Sequence, residues 1–409
     1  MPKPLTVFVP YSGLPVTKRT IEQLQHADLV ERIYLLTTGP VLEGCAALPV
    51  TALTSTRTMN EIARAAKTHL TLLLLHETPI DFGLFALERL HAVGETTVSA
   101  IVYSDFYDMR HGVRLPHPTL EYQEGSLRDD FDFGSVMLMN SVMLREAAEE
   151  VSSNAFEAAG LYALRLALSR RGRITHIGEF LYTREAIDVR PSGQKQFYYV
   201  DPKNRHVQIE MEMAVSEHLK KIGAFLKPEF VDVDVDEGSF PCEASVVIPV
   251  KNREKTIADA LHSALGQQTS FPFNVIVVDN HSSDGTSRAV RDIAARDNRV
   301  IHIVPEREDL GIGGCWNVAV HHPSCGRFTV QLDSDDLYKD STTLQRIVET
   351  FRSEKCAMVV GSYQMTDFEL REIPPGVIDH REWTPENGRN NVLRVNGFGA
   401  PRAFFTPVV

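Results

Sequence analysis

The sequence has few cysteines and no long apolar run, and both absences limit what the protein can be. Its 409 residues include five cysteines, an odd number, and no two of them have C-x-x-C spacing. We therefore expect neither a disulfide framework nor a thiolate zinc site. The longest strongly apolar run, residues 70–75, is interrupted by Thr71. It suits one buried strand, because a helix that spans a bilayer needs roughly 20 apolar residues.

Basic residues are outnumbered by acidic ones. There are 42 Lys and Arg against 54 Asp and Glu, which gives a net charge of −12. Because non-specific binding to nucleic acid depends on neutralising phosphates, we expect no nucleic-acid partner. The start, MPKPLTVFVP, has no basic segment followed by an apolar one, so we also expect no secretory signal. The composition is that of a packed globular protein, and we expect a cytoplasmic location, with contact at a membrane surface as the alternative.

The chain falls into two halves with a similar order of elements, in line with the two or three domains that its length predicts. Apolar strands alternate with amphipathic helices in both halves, which favours α/β domains with mostly parallel sheets. VFVPYS, IYLLTT and LLLLHETPI of the first half correspond to VVIPVK, IVVDNH and TVQLDSDDL of the second. We interpret this order as a duplication. The predicted domains are residues 1–190 and 243–409, joined by a helix and an acidic linker over residues 191–242.

Three local predictions concern residues 81–108 of the first half. The pattern predicts a helix from about Asp81 to Val93 and then a strand from Thr96 to Tyr103. The segment YSDFYD, residues 103–108, has two interpretations. It is a capped strand end, which we favour, or a displaced metal motif.

Carboxylates follow two predicted strands of the second half. Asp279 ends VVD, and Asp333, Asp335 and Asp336 end VQLDSDD. In open α/β sheets, ligands bind at the carboxyl ends of the strands. Two carboxylates separated by one residue can hold a hard divalent cation such as Mg²⁺ or Mn²⁺, which is commonly shared with substrate phosphates. The alternative is a solvated acidic turn that caps the next helix, but polar loops at three strand ends favour a binding site.

Other ligand motifs do not fit the sequence. GIGGCW begins like a dinucleotide fingerprint, but Trp316 stands where the third glycine is required. DSDDLYKD is not an EF-hand loop, because Tyr338 occupies its glycine position. No GxxxxGK[ST] phosphate loop occurs in the sequence.

Four segments, taken in order, resemble family 2 of the glycosyltransferases, which have the nucleotide-sugar-binding GT-A fold. They are VVIPVKN, VVDNHSSDGT, GIGGCWN and FTVQLDSDDLY, within residues 244 to about 363. The resemblance implies inverting transfer of a sugar from a nucleotide-diphosphate sugar to an acceptor hydroxyl, with Mn²⁺ or Mg²⁺ as cofactor. It does not specify the acceptor, which could be a glycan, a lipid-linked sugar or a protein, and it is compatible with a homo-oligomer.

The resemblance also implies roles for individual residues. The loop 250–252 and Asp279 would hold the nucleotide base. Asp335 would be the metal ligand, and Asp333 would contact either the ribose or the metal. The nucleotide-sugar site implied in this way consists of Pro249, Val250, Lys251, Asn252, Asp279, Asn317, Asp333, Ser334 and Asp335.

Two departures from the family pattern concern the chemistry. Family members usually have Arg where Trp316 precedes Asn317, so that cationic contact to phosphates is absent or comes from elsewhere. The family's acidic "ED" motif, which supplies the catalytic base, has no counterpart before Val409, and Asp379 and Glu382 lie too early in the sequence. We therefore leave the catalytic base unassigned and interpret the second domain as truncated at its C-terminal end.

The first half resembles the same fold without its chemical residues. Thr37 stands at the position of the base-binding Asp, residues 76–78 (HET) at the DxD motif, and Gly160 and Leu161 at the ED motif. This predicts two GT-A-like domains, the first degenerate and serving assembly, acceptor positioning or regulation. Two alternatives stay open for the whole chain: a non-catalytic nucleotide-sugar-binding or scaffold protein, and a sugar nucleotidyltransferase. The second is less favoured, because PVKNREK has no glycine after the first strand.

Overall fold

The structure, a computed structural model, describes residues 2–50, 52–185, 204–381, 383–395, 398–399 and 401–409. Internal contacts divide the chain into two units. The first consists of Met1–Lys227 with Trp383–Asn396, and the second of Pro228–Glu382 with Gly397–Val409. The first unit thus includes the helix that the sequence assigned to the connection, together with a segment from late in the chain.

The first unit is built on one mixed sheet. Its helices are α1 (Lys18–His26), α2 (Thr56–Ala65), α3 (Ala86–Thr97), α4 (Ser141–Val151), α5 (Gly160–Ser169) and α6 (Arg205–Lys221). Its strands are β1 (Leu5–Pro10), β2 (Val30–Leu36), β3 (Ala46–Leu48), β4 (Leu70–Leu74), β5 (Ile80–Phe82), β6 (Ile101–Arg110), β7 (Val113–His117), β8 (Val136–Asn140) and β9 (Ile174–Glu185). Among the described residues the strand order is β3-β2-β1-β4-β8-β6-β9-β5, with β7 paired to β6.

The sequence explains why this sheet forms. Strands β1 and β4 are apolar apart from Thr6 and Thr71 and are fully buried, as expected for strands that are covered on both faces. Helices α2 and α4 each begin after a polar cap. The Ser55 hydroxyl accepts from the Thr58 N–H at 3.2 Å, and the Asn140 side chain accepts from the N–H of Val142 at 3.0 Å. Such caps satisfy N–H groups that have no partner within the helix.

The predicted helix over residues 81–93 and the predicted strand over residues 96–103 were both wrong in their bounds. Residues 80–82 form β5, and α3 begins only at Ala86. The same helix continues through Thr96 and Thr97, whose hydroxyls donate to carbonyls one turn back at 2.7 Å. Val98 then ends the helix in a left-handed conformation. Local hydrogen bonding therefore overrides the strand preference of β-branched residues.

The favoured interpretation of the YSDFYD segment, a capped strand end, is wrong, because the segment lies within β6. Its two buried carboxylates have protein partners. Asp105 accepts from Thr119 N–H at 2.7 Å and lies 2.8 Å from His176 Nε2. Asp108 accepts from Arg184 Nε at 2.8 Å. These contacts give both carboxylates a structural role within the first unit.

The second unit is also an α/β layer. Its strands are β10 (Ala244–Val250), β11 (Phe273–Asp279), β12 (Val300–Ile303), β13 (Phe328–Gln331), β14 (Met358–Val360), β15 (Tyr363–Thr366), β16 (Glu372–Ile378) and β17 (Arg402–Phe405). Its helices are α7 (Ile257–Leu265), α8 (Thr286–Ala294), α9 (Ile312–Val320) and α10 (Thr343–Glu354), while the short α11 (Gly388–Asn391) belongs to the first unit. The predicted α/β class with mostly parallel sheets is confirmed.

Topology brings three strand ends of the second unit together. In the described residues the main sheet has the order β12-β11-β10-β13-β17-β14. The first four of these strands are parallel, and β17 runs antiparallel to β13 and β14. Val250 lies opposite Asp279 in the register of β10 and β11. The carboxyl ends of β10, β11 and β13 therefore share one edge of the sheet, where the sequence placed its candidate site.

Candidate functional site

Two loops at this edge are joined by hydrogen bonds. Residues 251–256 follow β10, and residues 280–285 follow β11. The Asn252 N–H donates to Ser282 Oγ at 2.9 Å, and the Ser283 N–H donates to Asn252 Oδ1 at 2.8 Å. Asn252 has φ 54°, in the left-handed region that Asn tolerates better than most residues. Asn252 thus fixes the two loops against each other.

Further contacts extend this loop pair to the start of α8. The Gly285 N–H donates to Glu254 Oε2 at 2.8 Å, and the Arg253 N–H donates to Thr286 Oγ1 at 2.7 Å. Asp284 accepts from Thr286 N–H at 3.0 Å. Hydrogen bonds from Thr286 lower the pKa of Asp284 below its ordinary value. The loop pair is therefore a pre-organised platform at the end of β10 and β11.

Asp279 lies beneath this platform with its side chain fully buried. Its Oδ1 accepts from Ser282 N–H at 3.0 Å, and its Oδ2 accepts from the Ser287 hydroxyl. His302 Nε2, on β12, lies 3.4 Å from Oδ2. Burial alone would raise the pKa of Asp279, but hydrogen bonds from Ser282 and Ser287, together with the nearby imidazole of His302, outweigh burial and lower it. Asp279 is thus an ionised acceptor at neutral pH.

The DSDD turn follows β13. Gln331 Nε2 donates to Asp333 Oδ1 at 2.7 Å, while Ser334 is buried. The Asp335 side chain is 47% exposed, and its Oδ2 lies 3.5 Å from Arg253 Nε. The structure therefore distinguishes the two carboxylates: a buried amide holds Asp333, whereas Asp335 faces solvent beside a guanidinium.

The same turn concentrates negative charge. Asp336 is exposed as a whole residue, yet partial desolvation of its carboxyl, together with the charges of Asp333 and Asp335, raises its pKa to about 6. Neighbouring carboxylates disfavour each other's ionised forms in this way. A bound cation would relieve this repulsion.

The residues fit a cation only as partial ligands. Nowhere in the described ranges does a group of three or more His, Cys, Asp or Glu side chains stand ready to hold a metal ion. Mg²⁺ commonly takes one or two protein carboxylates and completes its shell with water and substrate phosphates. Asp335, with Asp333 beside it, suits that partial arrangement.

The remaining predicted residues occupy different settings. Pro249 and Val250 are buried within β10, so their contribution to a ligand site is confined to the backbone, whereas Lys251 is exposed. Asn317 is exposed on α9. Trp316 packs edge-on against Phe404 of β17, with ring centroids 6.2 Å apart. At the position where the family has Arg, the indole therefore belongs to the packing between α9 and the sheet.

Sequence reasoning missed several polar residues of this edge. Asn280 donates its side-chain amide to Leu310 O, and among the described residues its buried Oδ1 has no hydrogen-bond partner. His302 and Gln331 lie in apolar strands whose sequence indicates only a structural role. Arg402 was missed because it lies some 70 positions further along the chain than Gln331. The signal that could have found Gln331 and His302 is a polar side chain inside an otherwise apolar strand.

In the first unit, the positions that the predicted duplication aligns with the candidate site carry different groups. Thr37 Oγ1 accepts from the Gly39 N–H at 2.9 Å, and Glu77 Oε1 accepts from the Ser12 N–H at 2.7 Å. Thr37 therefore fixes its own loop, and Glu77 joins the loop after β4 to the loop after β1. As for membranes, the described part of the chain contains no helix with the length and apolar character needed to cross one.

Comparisons with known proteins bear on the second unit. Residues 245–405 match the family model described as Glycosyl transferase family 2. A curated relative, 4,4'-diaponeurosporenoate glycosyltransferase of Staphylococcus aureus (strain USA300), is 27% identical over 127 residues, which cover 30% of this chain. The match spans 32% of that relative, about a third of its length.

Two solved structures are also similar. One is residues 1–349 of S. aureus TarS in complex with UDP-GlcNAc, with 25% identity, coverage of 41% of this chain and 46% of that chain, and a TM-score of 0.32. The other is the mannosyltransferase PcManGT from Pyrobaculum calidifontis in complex with GDP-Man and Mn²⁺, with 20% identity, coverage of 51% and 56%, and a TM-score of 0.29. These TM-scores are low, so the family match carries the assignment. Residues 245–405 of this chain, which include the site described above, match the model of glycosyl transferase family 2.

Proposed function

We propose that the protein is an inverting glycosyltransferase that uses a nucleotide-diphosphate sugar and a divalent cation, Mn²⁺ or Mg²⁺. One observation carries the proposal. Within a family 2 region, an ionised Asp279 and the Asp333–Asp335 pair stand at the carboxyl ends of β11 and β13, on either side of β10. That arrangement offers an acceptor for a nucleobase and carboxylates for a ribose and a metal-bound diphosphate along one edge.

The loop 250–252 and Asp279 would hold the base. Asp279 can accept a hydrogen bond from a base N–H only if Ser282 or Ser287 gives up a position on its carboxylate, because the side chain is fully buried. The exposed Lys251 and Arg253 supply positive charge beside this loop. Because position 316 carries Trp and not Arg, we propose that Lys251 and Arg253 face the donor phosphates.

Asp335 would hold the cation, and Asp333 would contact the ribose or the same cation. A bound divalent cation offsets charge that develops on the leaving nucleoside diphosphate. Ser334 between them is buried. Asn317, exposed on α9, completes the proposed donor site.

The catalytic base stays unassigned. Asp379 is engaged by Arg381, whose Nε donates to it at 2.7 Å, and Glu382 lies outside the described residues. A non-catalytic nucleotide-sugar-binding or scaffold protein is therefore the second candidate function. A sugar nucleotidyltransferase ranks below both. We further propose that the first unit serves assembly, acceptor positioning or regulation, and that the protein is cytoplasmic or at the membrane surface.

Calorimetry with UDP and GDP, each with and without Mn²⁺, tests the proposal. We expect one of them to bind in a metal-dependent manner. Asp335→Ala should abolish the metal dependence, whereas Asp292→Asn, at an exposed carboxylate on α8, should bind as the parent does. If neither nucleotide binds the parent, or if Asp335→Ala binds equally well, the proposal is refuted.

Turnover separates the candidate functions. Release of nucleoside diphosphate from a nucleotide sugar, with transfer to an acceptor, supports the transferase. Metal-dependent binding with no turnover of any nucleotide sugar favours the non-catalytic protein. Formation of pyrophosphate from a nucleoside triphosphate and a sugar phosphate would identify a nucleotidyltransferase.

A further inference from the structure

Two hydrogen bonds connect Arg402 to Asp333 through Gln331, all within the second unit. Arg402 Nε donates to Gln331 Oε1 at 2.7 Å, and Gln331 Nε2 donates to Asp333 Oδ1 at 2.7 Å. Gln331 is only 2% exposed. The strand register brings the first pair together, because Val330 lies opposite Ala403 in antiparallel β13 and β17. The next residues along, Gln331 and Arg402, face each other as a cross-strand pair.

The direction of these bonds follows from their chemistry. A guanidinium has five N–H donors and no acceptor, so the side-chain oxygen of Gln331 must face Arg402. Its NH₂ group then faces Asp333, which can accept because it is a carboxylate. The opposite orientation would set NH₂ against guanidinium and carbonyl oxygen against carboxylate. Arg402 therefore determines which atom Gln331 presents to Asp333.

We propose that Gln331 and Arg402 are positioning residues for the donor site: they hold Asp333 by Oδ1, so that Oδ2 is left to accept a hydrogen bond from the ribose of the nucleotide. This inference rests on the proposed function. A carboxylate that already accepts a hydrogen bond from a buried amide is a poor bidentate ligand for a metal ion. Asp335, by contrast, is half-exposed, and within the described part of the chain its contact is a 3.5 Å ion pair with Arg253. The two carboxylates are thereby divided, Asp333 for the ribose and Asp335 for the cation.

The test measures binding of UDP or GDP, whichever the parent binds, by calorimetry in the presence of Mn²⁺. Arg402→Met removes the bond to Gln331, whereas Gln331→Met removes both bonds, and each variant keeps an unbranched side chain. We expect each to weaken binding about 3- to 10-fold, the usual effect of one hydrogen bond. Because Arg402 acts through Gln331, the double variant should bind no more weakly than Gln331→Met alone.

A second readout distinguishes positioning from damage to the sheet. The 2′-deoxy and 3′-deoxy forms of the same nucleoside diphosphate lack one ribose hydroxyl each. The parent should prefer the ribose form over at least one of them, and that preference should shrink in Arg402→Met. Thr329→Val is the matched control, since Thr329 is a buried polar residue that contacts Phe404 O across the same two strands. It should keep the parent's preference.

The outcomes separate this inference from the proposed function. A parent that binds no nucleoside diphosphate overturns both. If the parent binds the nucleotide and both Arg402→Met and Gln331→Met bind it as tightly as the parent, the inference alone is wrong. It is also wrong if Arg402→Met loses affinity equally for the ribose and deoxy forms, or if Arg402→Met and Gln331→Met effects add in the double variant.

Discussion

Removing the carboxylate of Asp129 should destabilise the first unit strongly, because it would leave Arg394 as a buried, uncompensated charge. The Arg394 side chain is 2% exposed and the Asp129 side chain 17%, and Nη1 of Arg394 donates to Asp129 Oδ2. The guanidinium also donates to Gln208 Oε1 at 2.8 Å and to Asn391 Oδ1 at 3.0 Å. These contacts hold residues 383–395, part of the region that matches the family 2 model, in the first unit.

The magnitude follows from burial. Breaking a buried ion pair by removing one partner costs about 3–5 kcal/mol, because the remaining charge is neither solvated nor neutralised. We therefore expect Asp129→Ala to lower the free energy of unfolding of the first unit by that amount. For a unit of this size, each kcal/mol corresponds to roughly 2–4 °C in melting temperature. Replacing both partners, as in Asp129→Leu with Arg394→Met, should recover much of the loss.

The two tryptophans make the assay specific. Trp316 lies in the second unit and Trp383 in the first, so a Trp316→Phe background reports unfolding of the first unit through Trp383 fluorescence. Asp130→Ala is the control, because its ion pair with Arg128 has both side chains 51% exposed and should contribute less than about 1 kcal/mol. If Asp129→Ala costs no more than Asp130→Ala, the reasoning about Arg394 is refuted.

Two further predictions concern the second unit. Because the pKa of Asp279 is lowered, its contribution to stability is complete above the ordinary carboxyl pKa and is lost as the pH falls below about 4. Asp279→Asn should therefore weaken the acid sensitivity of the second unit in urea unfolding monitored through Trp316. An unchanged pH profile would contradict this prediction. The pKa of Asp336 is raised to about 6, so its effect on stability is opposite: without metal, stability should fall as the pH rises from about 4 to 6. Asp336→Asn should then be more stable than the parent at pH 7. Equal or lower stability of the variant would count against the raised pKa.

Much of the candidate site could be read from the sequence, because its parts are local. An apolar strand followed directly by Asp279, or by the DSDD turn, places carboxylates at a strand end whatever the rest of the chain does. Two details of the first half could not be read in this way. Thr96 and Thr97 favour a strand by propensity, yet their hydroxyls bond to the preceding helical turn. The late segment that carries Arg394 joins the first unit through contacts with residues far away in the chain.

The sequence by itself determined the α/β class, the family 2 segments and the order of carboxylates along the strands, since alternation, strand ends and motif spacing are properties of neighbouring residues. Only the tertiary structure decided the different surroundings of those carboxylates. It buries Asp279 beside His302 of the adjacent strand, leaves Asp335 exposed, and sets Arg402 against Gln331 through the register of β13 and β17. Burial, pKa and hydrogen-bond direction depend on residues that meet only when the sheet forms, and so no local pattern encodes them.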